Sequence, residues 1–307
     1  MKTETGTENE TAEPSRARPA GNVARAMGWM GIALSSFVLV AISGREAGRV
    51  LSTIDLMLYR SIISLAILLL GIRLAGINLK SFRTERLGLH TLRGAVHFAA
   101  QAAWLHALIL IPLTELFALE FTAPLWVAIL APLLLDEKLT RIRVVAALLG
   151  FCGILAIARP GGASLGFGTL LAAASAVGFA LSMVGTKLLT RTDTPLSILL
   201  YMIIIQTILA IVLSVQTLAL PDLATAGWLL ALGTFGLSAH FALVRAFSYA
   251  DAMVVAPMDF LRLPMIAVLG VFVYQEVLEW AVLIGAGIVV LANLFNLWGE
   301  RRLAFAR

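Results

Sequence analysis

The sequence predicts an all-α integral membrane protein with ten transmembrane helices, arranged as two five-helix repeats of inverted topology. Three observations carry this expectation: the composition, the spacing of apolar runs, and a corner that is written twice. Of 307 residues, 60% are apolar and 13% charged, about half the charge of a soluble domain. A globule of this length leaves apolar surface that only lipid covers. Ten runs approach the roughly 17–25 residues that cross hydrocarbon. They lie near 28–44, 53–72, 91–110, 115–135, 143–158, 166–188, 195–215, 227–249, 253–274 and 280–298. The fifth, between Arg143 and Arg159, is short and relies on snorkelling or local thinning.

The order of charges orients the chain. With a cytoplasmic amino terminus, most of the 23 Lys and Arg fall on inside segments: the tail, Arg73 to Arg93, Lys138 to Arg143, Lys187 with Arg191, and the stretch after the last span. Only Arg45, Arg49 and Arg159 fall on outside segments, as the positive-inside rule requires. Residues 1–25 are polar and aperiodic and are expected to form a disordered cytoplasmic tail. The first apolar run lacks a small-residue cleavage pattern and is expected to be a retained span. The repeats are expected over 26–160 and 161–299, with a cytoplasmic tail at 300–307.

"LLLDEKLTRIR" (133–143) and "VFVYQEVLEW" (271–280) are the duplicated corner. Placing Glu137 on Glu276, 139 positions on, also places Glu120 on Asp259, Phe121 on Phe260 and Gln101 near the level of His240. An odd number of spans per copy inverts the second copy, so one corner lies inside and keeps its base while the other lies outside and has none.

The segment "IPLTELFALEFTAPLWVAILAPLLLDEKL" and its second-half partner "ALVRAFSYADAMVVAPMDFLRLPMIAVLGVFVYQEVLEW" resemble the EamA-type repeat of the drug/metabolite transporter superfamily. The likeness covers about residues 28–298. It implies ten helices, both termini cytoplasmic, a bacterial inner-membrane location, and alternating-access transport of a small organic solute. Export of an amino acid or related metabolite is the first expectation. Uptake of a vitamin or nucleoside-like compound, such as riboflavin or S-adenosylmethionine, is the alternative. The chain departs from the family pattern at Asp136 and Gln275, which replace the usual glycine before the corner glutamate and are expected to alter the turn.

Charges inside spans are costly and face protein or water. Asp55, Glu120 and Asp259 stand against Arg60, Arg245 and Arg262, enough to neutralise one another; simple structural pairing joins Glu120 with Arg60 and Asp259 with Arg262. The alternative makes Glu120, Asp259 and the three arginines gating or coupling groups. His97, Gln101 and Trp104 share one helix face. With His240 they form the candidate substrate site, against the simpler reading of hydrogen bonds between packed helices. Phe121, Trp126, Phe241 and Phe260 are candidate cavity aromatics. Pro124, Pro257 and Pro264 are candidate hinges because each removes a backbone donor. Glu137 and Glu276 are expected to be structural, each beside the start of the next helix, whose positive end it meets.

Other classes lack their motifs. There is no phosphate-binding Gly-Lys loop and no nucleophile elbow. His90, His97, His106 and His240 do not fall at metal-ligand spacings, and the single Cys152 excludes an intramolecular disulfide. No cofactor, metal or catalytic residue is expected. Nucleic acid is excluded as a partner because the base sits in short loop clusters. The expected partners are a small-molecule substrate and the bilayer, with homodimerisation left open. An intramembrane enzyme and a channel are the remote alternatives.

Overall fold

The computed structural model describes residues 23–135, 140–158, 166–215, 218–249, 255 and 258–305, and the regular structure among them is entirely helical. The helices are α1 (Val23–Ala47), α2 (Thr53–Leu74), α3 (Leu87–Leu110), α4 (Leu113–Glu120), α5 (Ala123–Leu135), α6 (Arg141–Ala158), α7 (Phe167–Leu189), α8 (Pro195–Ser214), α9 (Leu223–Tyr249), α10 (Arg262–Tyr274) and α11 (Trp280–Phe305), with one 3-10 turn at Leu79–Phe82. Seven stretches are long and apolar enough to cross a membrane unaided. Their leucines, isoleucines and phenylalanines are widely exposed on the outer surface, as lipid solvation allows. Helix α1 begins at Val23, earlier than the apolar run suggests, and α11 continues to Phe305.

Helix starts follow local chemistry. Ser52 and Asp55 cap α2 reciprocally, the Ser52 hydroxyl donating to Asp55 at 2.8 Å and accepting from its backbone N–H at 3.2 Å. Asp55 therefore belongs to a cap. Thr194 caps α8, where Pro195 takes the first helical position. Asp222 accepts from the Thr225 backbone N–H at 2.8 Å, and its bonds to the Thr225 hydroxyl and backbone hold its carboxyl below the usual carboxylate range.

The fourth apolar run is broken. Helix α4 stops at Glu120, Phe121 and Thr122 form a turn, and α5 restarts at Ala123. The same interruption recurs 139 residues later, where Phe260 and Leu261 turn between Asp259 and the start of α10 at Arg262. Pro124 and Pro264 sit in the first turns after these breaks, where a missing N–H is tolerated. Their position marks restarts of the helix and not bends within it. Pro257, Asp136, Glu137 and Lys138 lie outside the described residues. The carbonyl of Phe121, left without a helical donor, accepts from buried Asn293 of α11 at 2.8 Å, as a hydrocarbon environment demands.

Helix pairs pack antiparallel through small residues. Ala100 and Arg93 of α3 lie against Gly178 and Gly185 of α7; Ile157 and Ile142 of α6 lie against Gly285 and Gly299 of α11. A Cβ on Gly153 would come 2.9 Å from the Gly285 carbonyl, and one on Gly285 2.7 Å from the Gly153 carbonyl, so the backbones touch through bare glycine. Helices α1 and α9 meet through Ser36 and Ser238, 3.1 Å apart. A 139-residue shift carries α1 and α9 onto α7 and α3, exchanging these contact pairs; α2 with α8, and α6 with α11, map onto themselves. These contacts have the pattern of an approximate twofold between the halves.

The second corner corrects one expectation. Gln275 takes φ +55°, the left-handed conformation glycine favours, and the Glu276 N–H closes back on the Gly270 carbonyl at 2.9 Å, a seven-residue loop one residue longer than the common left-handed helix cap. The turn therefore keeps a glycine-type geometry without glycine, at about 1–2 kcal/mol of backbone strain. Replacing Gln275 by Gly should raise the thermal midpoint in detergent, with about 1 kcal/mol of strain relieved. A lowered midpoint would contradict the strain.

Candidate functional site

Arg262, the first residue of α10, is 5% exposed. It pairs with Glu120 at 3.1 Å and with Asp259 at 3.2 Å. Its guanidinium also lies over the rings of Phe37, Phe117 and Phe121, at 4.4, 5.3 and 4.8 Å from their centroids. Trp104 donates from its indole N–H to the other Glu120 oxygen at 2.7 Å. The Phe121 and Phe260 rings meet at 5.3 Å, so the turn residues of the two breaks touch. One cation thus bridges the acid that ends α4 to the acid that precedes α10. The pairing of Glu120 with Arg60 does not occur, because Arg262 projects from the facing break and reaches Glu120 first; its pairing with Asp259 does.

Arg60 belongs to a second, neighbouring cluster. It donates to Gln101, whose carbonyl oxygen also accepts from Gln206 at 3.3 Å, and Gln206 reaches His97 Nδ1 at 3.0 Å. An amide N–H2 only donates, so His97 Nδ1 accepts and its proton sits on Nε2. His240 sits across from them, its Nδ1 2.9 Å from the Gly236 carbonyl. A carbonyl only accepts, so here Nδ1 carries the proton and Nε2 is left as an acceptor. Arg60, His240 and Gln206, together with Ser61, Ser64 and Met202, line a small pocket of about 10 Å³, room for about one water. Phe37 joins the two clusters, touching His240 at 5.9 Å as well as Arg262.

Of the residues expected at the substrate site, His240 lines the Arg60 pocket, Gln101 and His97 connect to it through their bonds with Arg60 and Gln206, and Trp104 turns to Glu120. Arg245 lies apart near the end of α9, bonded to the Tyr249 hydroxyl at 2.9 Å and over the rings of Trp29 and Tyr249. Phe241 is exposed and edges Trp29, so it does not line the cavity. Among the described residues no group of three His, Cys, Asp or Glu is placed to hold a metal ion.

A third cluster ties one face of the bundle. Arg45, at the end of α1, pairs with Glu276, donates to the Ile111 carbonyl at 2.9 Å, and lies 4.8 Å over the Tyr274 ring. The second Glu276 oxygen accepts from the Leu113 backbone N–H at 2.9 Å. Glu276 meets the start of α4 in the other half of the chain, and not that of the next helix as the sequence suggests. Gln206 and Ser61 escape a reading of motifs, although a glutamine amid the apolar run of α8 is a visible anomaly; nothing in the sequence marks Ser61.

A helical, multi-pass bundle with polar clusters in its interior is the architecture of an integral membrane protein, and the comparisons with known proteins supply its class. The EamA-like transporter family matches this chain twice, over residues 25–159 and 166–298. The chain belongs to that family, within the drug/metabolite transporter superfamily, whose members carry small molecules across membranes and are not enzymes. It is similar to a riboflavin transporter of Brucella anthropi, at 33% identity over 70% of this chain and 78% of that one. It is also similar to an S-adenosylmethionine uptake transporter of Rickettsia bellii (27%; 90% and 94%) and to the pseudopaline exporter of Pseudomonas aeruginosa (26%; 84% and 92%). A solved crystal structure aligns with TM-score 0.63 and 18% identity over 91% of this chain and 99% of its own, which supports the fold.

Breaking a buried pair strands a charge and costs about 3–5 kcal/mol. Arg262→Met should therefore lower the midpoint sharply, and adding Glu120→Gln should recover part of the loss. Strict additivity in that double-mutant cycle would argue against the bridge.

Proposed function

We propose that the chain is an uptake carrier of the bacterial inner membrane for a vitamin- or nucleoside-like solute, working by alternating access between two inverted five-helix repeats. The observation that carries this reading is the pair of matched helix breaks, bridged by Arg262 beside a polar cavity. Inverted repeats place their substrate at the interface of interrupted helices. The antiparallel contacts of α6 with α11 support the inversion, as does the doubled family match. Relatives named for riboflavin and for S-adenosylmethionine uptake support the solute class and direction over amino-acid export. The pseudopaline exporter among the relatives favours export as the second reading.

In this scheme both termini are cytoplasmic and the Arg45–Glu276–Leu113 clasp closes the outer mouth. Outward opening separates α1 and α4 from the corner after α10, exchanging those bonds for water. Glu120 and Asp259 with Arg262 are the gating group beneath the clasp. Gln101, His97 and His240 with Arg60 hold the solute.

Cysteines placed at Arg141 and Glu279 should react with impermeant reagents from opposite faces of intact cells; labelling from one face would remove the inverted topology. In liposomes, accumulation of radiolabelled riboflavin or S-adenosylmethionine should be saturable and show counterflow, whereas non-saturating flux would indicate a channel. Glu120→Gln and Asp259→Asn should each reduce uptake at least about tenfold, on the order of the loss of one charge-assisted bond. Unchanged uptake and pH dependence in both variants would end the gating role.

A further inference from the structure

The two helix breaks coincide under the 139-residue shift, but their prolines do not. Pro124 falls on Leu263, and Leu125 falls on Pro264. That one-residue offset decides which carbonyl is left over. At the second break the Leu263 N–H closes back on the Phe260 carbonyl at 3.1 Å and the Met265 N–H on the Leu261 carbonyl at 3.3 Å, so the turn satisfies itself. At the first break the residue three after Phe121 is Pro124, which has no N–H to give. The next donor, Leu125, bonds instead to the Thr122 carbonyl at 2.9 Å. The Phe121 carbonyl is thereby orphaned in a bundle whose lipid surroundings offer no donor. Asn293 of α11, 2% exposed, supplies one at 2.8 Å. The residue that matches Asn293 in the first repeat is Ile154, a side chain without a donor, and the carbonyl it would serve, that of Phe260, already has one.

Packing shows the same inequality. Helix α5 lies tight on α6, where a Cβ on Gly150 would overlap the Leu125 side chain. Among the described residues α10 makes no comparable contact with α11, and it leaves Val268, Phe272 and Val273 exposed. It packs on α4, and ion pairs clip it to the first half at both ends: Arg262 with Glu120, and Glu276 with Arg45.

We propose that Asn293 is a positioning residue that replaces the N–H lost at Pro124 and pins the first break to α11, leaving the second break, with Arg262 and α10, as the one that moves during transport. The mechanical half of this assignment rests on the alternating-access reading above. Pinning the Phe121 carbonyl holds the end of α4, and with it Glu120, as the fixed seat to which Arg262 returns. A break that closes its own hydrogen bonds shifts as a unit without stranding a backbone group. The first break cannot leave α11 without doing so.

The test is hydrogen exchange on the purified full chain in detergent, followed at the amides of residues 121–126 and 260–265. The first break should exchange at least about tenfold more slowly than the second. Asn293→Leu should speed exchange at the first break alone, and adding Pro124→Ala, which returns the N–H, should restore most of the protection. Asn293→Asp, nearly isosteric but without the donor, should act as Asn293→Leu does and serves if the leucine variant does not fold. Equal exchange at the two breaks of the native chain overturns the proposal, as does an Asn293 variant that speeds both breaks alike. In liposomes, counterflow of radiolabelled riboflavin or S-adenosylmethionine should slow about fivefold in Asn293→Leu, at an unchanged half-saturating concentration, and recover in the Pro124→Ala double variant. Unchanged flux in a variant that has lost the exchange difference overturns the mechanical role. The expected exchange pattern in a chain that carries neither solute would sustain the pinning and remove the uptake function. Flux of either solute through a chain whose breaks exchange equally would do the reverse.

Discussion

A guanidinium held away from water between two broken helices is the constraint around which this bundle is organised. Arg262 starts α10 and meets Glu120, which ends α4, and Asp259, three residues before it. Removing any one of the three strands charge in a low-dielectric interior, where desolvation costs several kcal/mol per ion. The aromatic walls of Phe37, Phe117 and Phe121 give the cation quadrupole faces in place of water. Both breaks must therefore come together for either half to be satisfied, and the Phe121–Phe260 contact sits where they do.

Around that bridge the helices have little hydrophobic reason to associate, since lipid solvates leucine as well as a neighbouring helix does. Close backbone approach supplies the cohesion instead. Gly153 and Gly285 bring α6 and α11 together almost without side chains between them, and Gly178 does the same for α7 on α3. Such interfaces are dense but shallow, with few interlocked large side chains. A bundle held by shallow contacts and a few polar clasps can exchange one arrangement for another by trading clasps. In the Arg45–Glu276–Leu113 clasp, a guanidinium and a backbone N–H share one carboxylate across the two halves of the chain.

The Arg60 cluster differs in kind. Its chain of bonds through Gln101, Gln206 and His97 is neutral apart from the arginine itself. Both clusters leave buried polar atoms without a partner: the Ser61 hydroxyl beside Arg60, and Arg262 Nε with one Asp259 oxygen in the bridge.

Lipid solvation and the helical segments were legible in the chain, because a bilayer forces composition and span length, and the 139-residue shift was legible because it survives in Glu120 and Asp259, Phe121 and Phe260. The level of Gln101 and His240 was readable for the same reason. Partner choice was not. Arg60 and Arg262 are equally plausible mates for Glu120 in one dimension, and only the way α10 restarts against α4 gives Glu120 to Arg262. Asp55 reads as a buried countercharge until Ser52 draws it into a cap. Gln275 reads as a lost glycine until its backbone is seen in the left-handed region. Sequence records which polar groups the membrane must hide; the packing of antiparallel helices through bare glycine sets which of them meet, since that depends on distances no linear pattern carries.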